Sequence, residues 1–161
     1  MKILAILPAR GGSKGIPRKN IVSICGKPLI AYSIEQALAS KFINRVIVST
    51  DDYEIAEVSK KYGAEVPFVR PVEYAQDLSP DIDVFRHALQ WLKKNEGYAP
   101  DIVLNHRPVC PVRRVALIDE AIELLMNTPE ADALRSVVLA PQTPYKMWKI
   151  VDGFMEPLIR L

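Results

Sequence analysis

Apolar residues follow two rhythms along this chain. Residues 3–7, 45–49, 65–69 and 101–104 are short apolar or β-branched runs bounded by turn signals. Runs of that length predict strands buried on both faces. Between them the spacing changes to three and four. After Pro28, residues Leu29, Ile30, Ile34, Ala37 and Leu38 share one stripe, which predicts a helix to about residue 40 with proline in its first turn. Asp51 or Asp52 is placed to cap a helix through Tyr62, and Gly63 suits the position just past its end. Ser79-Pro80 opens a helix carrying Ile82, Phe85, Ala88, Leu89 and Leu92, which stops near Gly97, and residues 115–126 form another. Residues 134–139 are strand-like. Residues 146–151 and 154–158 flank Asp152-Gly153, a favoured two-residue turn, and predict a hairpin.

Strand and helix alternate through most of the chain. That order predicts an α/β fold, a three-layer sandwich around a mainly parallel (mixed) sheet. No repeat, low-complexity tract or linker divides it, so 1–161 reads as a single domain. Ligands of such sheets bind beyond the carboxyl ends of the strands. The loops after the first, second and fourth strands should therefore share one crevice.

Composition adds limits. Apolar residues make up 49% and charged residues 25%, an ordinary globular balance. Cys25 and Cys110 lie far apart, which is neither a disulfide framework nor a CxxC metal site. The apolar stretch before Arg10 is too short for a membrane span and lacks the features of a cleavable signal, so the chain reads as cytoplasmic with no membrane partner. A net charge of +2 argues against a generic nucleic-acid binder. Its distribution says more: Lys2, Arg10, Lys14, Arg18, Lys19 and Lys27 precede the first acid, Glu35. The N-terminal segment is a cationic field suited to a small, highly charged anion.

The loop after the first strand reads PARGGSKGIPRKN. Gly11, Gly12 and Gly15 let the backbone approach a ligand and take positive φ, and their amides could form an anion-binding concavity. Arg10 could grip a phosphate with two hydrogen bonds, with Lys14 and Lys19 as point charges. An ordinary solvated basic loop is the other reading. The P-loop and the GxGxxG dinucleotide fingerprint are both absent, which disfavours kinases and dehydrogenases built on them.

The wording LPARGGSKGIPRKNI resembles the signature of the acylneuraminate cytidylyltransferases, the CMP-sialic acid synthetases. VIVSTDDYEIAEVSKKYGAEVPFVRPVEYAQD resembles the family's second block and SVVLAPQTPYKMWKIVDGFMEPL a third, so the likeness spans nearly the whole chain. The resemblance implies a Rossmann-like fold of the nucleotide-diphospho-sugar transferase type. It also implies transfer of CMP from CTP to the anomeric hydroxyl of a sialic-acid-like nonulosonic acid, with release of pyrophosphate. Arg10, Gly11, Gly12, Ser13, Lys14, Lys19 and Asn20 fall where the family holds the nucleotide, with Arg10 and Lys19 as the catalytic cations. Arg70 matches an arginine near the cytosine, and Asp77 an acid lining the nucleotide pocket. Alternatively, Ser13 only shapes the turn, Arg70 is a surface charge and Asp77 caps the following helix.

One loop departs from the family. Where relatives carry a QPTSPLR-like run facing the sugar, this chain has RPVCPVR, so Arg107, Val109 and Cys110 replace three polar residues. Arg107 and Arg113 are the candidate acceptor-binding residues, Arg107 as partner of a sugar carboxylate or as a solvated loop charge. Nothing in the spacing pairs Cys110 with His106 or His87 as a nucleophile. The resemblance also implies Mg²⁺, with its ligands in a segment beyond PLIRL and unassigned here. Residues 140–161 would begin a dimerisation region, with Tyr145, Met147, Trp148 and Phe154 as dimer surface or core, and a homodimer as the full-length form. A catalytically deficient nucleotide-binding module, or a transferase for another sugar such as KDO, are the alternatives.

Overall fold

The computed structural model describes residues 1–139 and 147–159. The chain divides into two compact units, Met1–Asn127 and Thr128–Leu161, where the sequence pattern had one domain. In chain order the first unit holds β1 (Ile3–Pro8), a short hairpin of β2 (Ser23–Ile24) and β3 (Lys27–Pro28), α1 (Leu29–Leu38), β4 (Arg45–Ser49), α2 (Tyr53–Lys61), α3 (Asp81–Glu96), β5 (Ile102–Asn105) and α4 (Val115–Met126).

β1 lies at the centre of a parallel sheet of order β4-β1-β5, with Ile6 opposite Ile47 on one side and Asn105 on the other. Alternate side chains leave opposite faces. Leu4, Ile6 and Ile47 pack with Ala88 and Leu92 of α3. Ala5, Leu7, Val46 and Val48 pack with Ile30 and Ile34 of α1 and Ile55 of α2. Ile3 meets Ile118 and Ile122 of α4 on that same side. Helices thus cover both faces, and the three-layer expectation holds. Both faces of β1 are dry, which is why its run is continuous rather than alternating.

The third expected strand, 65–69, reduces to two parallel bridges, Ile47 with Glu65 and Thr50 with Val69. Pro67 lies between them and has no N–H to donate, so the ladder is interrupted. The segment still pairs at its ends: Glu65 N donates to Val46 O at 3.0 Å and Arg70 N to Thr50 O at 2.7 Å. The helix ends follow the sequence. Asp52 caps α2 by accepting from Ile55 N, and Gly63 and Gly97 take positive φ just beyond α2 and α3. The β2–β3 hairpin was not foreseen. Its turn is Cys25-Gly26, both with positive φ, the geometry that suits a two-residue hairpin.

The second unit contains the hairpin of β6 (Trp148–Val151) and β7 (Phe154–Pro157), turning at Asp152-Gly153 with positive φ at both residues. Residues 134–139 form no strand among the described residues, and Val137, Val138 and Leu139 are exposed. β-branched composition alone does not make a strand without an edge to join. Met147, Trp148 and Phe154 are exposed rather than core, while Tyr145 and Lys146 lie outside the described residues. No helix among the described residues is long and apolar enough to cross a membrane.

Candidate functional site

A cleft of about 360 Å³ opens over the carboxyl end of the sheet, between the segment after β1, the segment before α3 and the segment after β5. The chain runs outward from β1 to β4 and returns to β5 on the other side, so this is where the strand order reverses and where such sheets bind ligands. The cleft brings together Arg10, Ser13, Lys19 and Asn20 from the first loop, Arg70 and Asp77 from the middle of the chain, and Arg107 from the third loop. Gly11, Gly12, Lys14 and Arg113 are not in its wall. Tyr74, Gln76, Ser79, Asp81 and Val84 are, and the sequence had not singled them out. Their only signal was position, in the turn and first helical turn that follow Arg70.

The first loop is not held as its glycines suggested. None of Gly11, Gly12 and Gly15 has positive φ; Arg18 does, at 55°. Gly11 is needed for proximity instead. A Cβ there would lie 2.6 Å from Asp52 Oδ2 and 3.0 Å from Asp52 Cβ. Its amide donates to Asp51 Oδ1 at 3.0 Å, so it is committed within the protein rather than offered to an anion. Arg18 bonds Asp52 and Glu54 at the start of α2. This contact holds the Asp52 carboxyl below the usual range, with the Arg18 hydrogen bond as the main cause. Asn20 is buried and donates to the Arg10 carbonyl at 3.0 Å, which fixes the strand end that carries Arg10. Ser13 does two things: its N–H closes a tight turn on the Gly11 carbonyl at 3.0 Å, and it lines the cleft.

Gly11→Ala is therefore expected to cost about 1–3 kcal/mol of stability, the range of overpacking, because Asp52 is pinned by its cap and by Arg18. Gly12→Ala, whose Cβ would meet nothing within 4 Å, is the control. Chemical denaturation of both reads the result, and equal midpoints would remove the close-approach argument.

Charge separates the cations into engaged and available. Arg10 Nη1 sits 2.8 Å from Asp77 Oδ1, and Lys14 pairs with the other oxygen. The two cations, Lys14 first, hold the Asp77 carboxyl below its ordinary range. Asp77 does not cap α3, whose N-cap is Pro80. Lys19 is half-buried, lines the cleft and has no ion-pair partner among the described residues. Arg70 is the most unusual. It is 4% exposed, and its Nε and Nη2 have no hydrogen-bond partner among the described residues. Asp51 Oδ1 is 3.7 Å from Nη2, too far to bond. Burial pushes the guanidinium's pKa down, with Asp51 offsetting part of that. Arg70 is thus no surface charge but a buried cation in the cleft wall with donors to spare, an arrangement that costs free energy until a ligand accepts from it.

The third loop is built by internal bonds. Arg113, expected at the acceptor, instead donates from Nη2 to the Arg107 carbonyl at 2.6 Å and from Nη1 to Ser33 Oγ at 3.2 Å. Gln36 Nε2 donates to the Pro111 carbonyl at 2.6 Å. Arg107 pairs with Asp81 in the first turn of α3. His106 is buried and, chiefly through burial with the Arg113 charge beside it, its pKa falls to about 4, so it is neutral at pH 7. Cys110 and Cys25 are free and exposed.

The described residues do not by themselves assemble an all-protein cage for Mg²⁺. No group of three His, Cys, Asp or Glu side chains gathers among them, and both cleft carboxylates, Asp77 and Asp81, are taken by cations. Mg²⁺ wants six oxygens in an octahedron and usually takes only one or two carboxylates beside phosphate oxygens and water.

A parallel α/β sheet with a cationic cleft at its switch point is a frame for binding a small anionic ligand. The chain belongs to the cytidylyltransferase family, whose family model matches residues 4–143. It is similar to a pseudaminic acid cytidylyltransferase of Campylobacter jejuni, 53% identical over 99 residues that cover 61% of this chain and 43% of that one. It is also similar to a CMP-N,N'-diacetyllegionaminic acid synthase of Legionella pneumophila, 40% identical over 124 residues covering 77% and 53%. Among solved structures, a CMP:2-keto-3-deoxy-manno-octonic acid synthetase complexed with CTP aligns with a TM-score of 0.66 and 26% identity over 80% of this chain and 49% of that one. The chain spans about half the length of the curated relatives it matches.

Proposed function

We propose that the cleft binds CTP and that the protein transfers CMP to the anomeric hydroxyl of a sialic-acid-like nonulosonic acid. Arg70 carries this reading: a buried guanidinium whose donors find no partner among the described residues is favoured by an acceptor-rich ligand in the cleft. In the reaction the acceptor hydroxyl attacks the α-phosphorus and pyrophosphate leaves. Negative charge spreads over phosphate oxygens, and preorganised cations offset it best when their positions are fixed beforehand. Arg10, whose backbone is fixed through Asn20, and Lys19, without an ion-pair partner among the described residues, are the side chains for that role. A requirement for Mg²⁺ and assembly as a homodimer belong to the same proposal. So does a cytoplasmic setting, where exposed thiols such as Cys25 and Cys110 stay reduced.

Thermal shift backed by calorimetry, with CTP, UTP, ATP and GTP in turn, tests the nucleotide part. At a hundredfold excess over Kd, CTP should stabilise the protein by about 2.7 kcal/mol, roughly 5–10 °C for a unit of this size. Equal shifts with all four nucleotides would replace the cytidine reading with a general triphosphate site, and no shift would remove it. KDO included in a sugar panel then separates the nonulosonic acid from the alternative acceptor.

A further inference from the structure

The segment between Arg70 and α3 closes hydrogen bonds on itself. Tyr74 N donates to the Pro71 carbonyl and Ala75 N to the Val72 carbonyl, both at 3.0 Å. Gln76 Nε2 donates to the Val72 carbonyl at 2.8 Å. Ser79 Oγ accepts from Gln76 N at 3.0 Å and donates to the Glu73 carbonyl at 2.9 Å, which ties the two ends of the turn together. Residues 72–79 are therefore a small body with its own bracing. Pro71 and Pro80 flank it with φ of −56° and −69°, so ring closure confines any turning to a few neighbouring dihedrals.

This body is one wall of the cleft, through Tyr74, Gln76, Asp77 and Ser79. At its base Tyr74 packs on the His87 ring of α3, centroids 5.4 Å apart. At its tip Asp77 reaches the first loop, where one carboxylate oxygen takes Arg10 Nη1 at 2.8 Å and the other takes Lys14. A carboxylate spread over two cations occupies them as the oxygens of a phosphate do. The clasp is open to water, with the Asp77 side chain 39% exposed and that of Lys14 81%, so it is weak enough for a multiply charged ligand to displace. Leu78 and Val72 stay exposed on the closed strap, so burial of these side chains adds nothing to its hold.

We propose that residues 72–79 form a strap latched by Asp77, and that the phosphates of an incoming nucleotide unlatch it by taking Arg10 and Lys14 from the carboxylate. This rests on the cleft taking a triphosphate and adds that the protein carries its own stand-in for that anion. Between turnovers Asp77 holds two mutually repelling cations in place. After transfer it returns to compete with the departing pyrophosphate, so the latch lowers affinity and speeds release. Its signature is quantitative. Every ligand that needs the open strap binds with its intrinsic affinity multiplied by the open fraction, so all such ligands are weakened by one common factor.

The experiment titrates the full chain with inorganic pyrophosphate and, separately, with CTP, by calorimetry without divalent metal. NMR of methyl-labelled leucine and valine follows the strap, with the Leu78 and Val72 signals assigned by their loss in Leu78→Met and Val72→Ala. Both ligands should move these signals in the wild type, and Val72 should follow Leu78 because the strap is braced internally. In free Asp77→Asn the signals should already lie most of the way to their bound positions. Pyrophosphate and CTP should then both bind about two- to fivefold tighter, by the same factor, the scale of an exposed ion pair. A purely structural Asp77 would give no such gain, since its loss loosens the strap without freeing a site. The latch is overturned, with the nucleotide reading left standing, by CTP binding in which Asp77→Asn keeps the wild-type signals or loses affinity for pyrophosphate. Pyrophosphate that leaves the strap signals unmoved, while CTP binds, has the same meaning. No CTP binding by the wild type removes both.

Discussion

Arg70→Met is expected to weaken CTP binding by at least about 2 kcal/mol, roughly thirtyfold, while leaving the unfolding midpoint unchanged or higher. The two halves of that result have one cause. The Arg70 side chain is buried, its Nε and Nη2 have no hydrogen-bond partner among the described residues, and the Asp51 carboxylate oxygen paired with it is 3.7 Å away. Methionine fills a similar volume with no polar group to satisfy. Asp51 would lose its cation, yet it keeps the Gly11 amide and is partly exposed, so the residual charge is tolerable. The backbone contact of residue 70 to the Thr50 carbonyl does not depend on the side chain. Calorimetry and thermal unfolding on one preparation decide it. Lower stability with unchanged CTP affinity would make Arg70 a structural residue and remove the main support for the nucleotide site.

Arg10 and Asp77 are expected to move CTP affinity in opposite directions. Arg10→Ala should weaken binding by about 1.5–3 kcal/mol, the scale of a charged hydrogen bond. Unchanged affinity would sink its triphosphate role. Asp77→Asn should tighten binding by about two- to fivefold, because Asp77 now occupies both Arg10 and Lys14 and an incoming phosphate must compete with it. That gain should shrink as salt is raised, since the pair is open to solvent. If Asp77→Asn weakens binding instead, the carboxylate is a ligand group or holds Arg10 in its working position, and it does not act as a competitor.

Much of the frame was legible from spacing. Gly63, Gly97 and Asp152-Gly153 fall where the chain needs positive φ, and Asp52 caps the helix it precedes. The cationic loop after β1 does reach the cleft through Arg10, Ser13 and Lys19. Other expectations differ from the structure. The run at 65–69 was read from its composition, but Pro67 leaves only bridges. Gly11 was read as a source of backbone freedom, whereas its role is to let Asp52 approach. Arg113 was read as an acceptor contact because it lies in the acceptor loop; its guanidinium turns inward to bind that loop's own carbonyl.

What the sequence determined by itself is therefore local: which segments are strand or helix, where they turn, and that the first loop carries unopposed positive charge. Those follow from side-chain period and backbone dihedral preference, which act within a few residues. Only the tertiary structure decided which of those charges remain available. Asp77, Asp52 and Glu54 come from other segments to neutralise Arg10, Lys14 and Arg18, while Lys19 has no ion-pair partner among the described residues. It also decided that Arg70 is buried with only a long contact to Asp51, and that Asp81 faces Arg107. Desolvation and ion pairing depend on what surrounds a group in space, and the fold brings those neighbours from far along the chain.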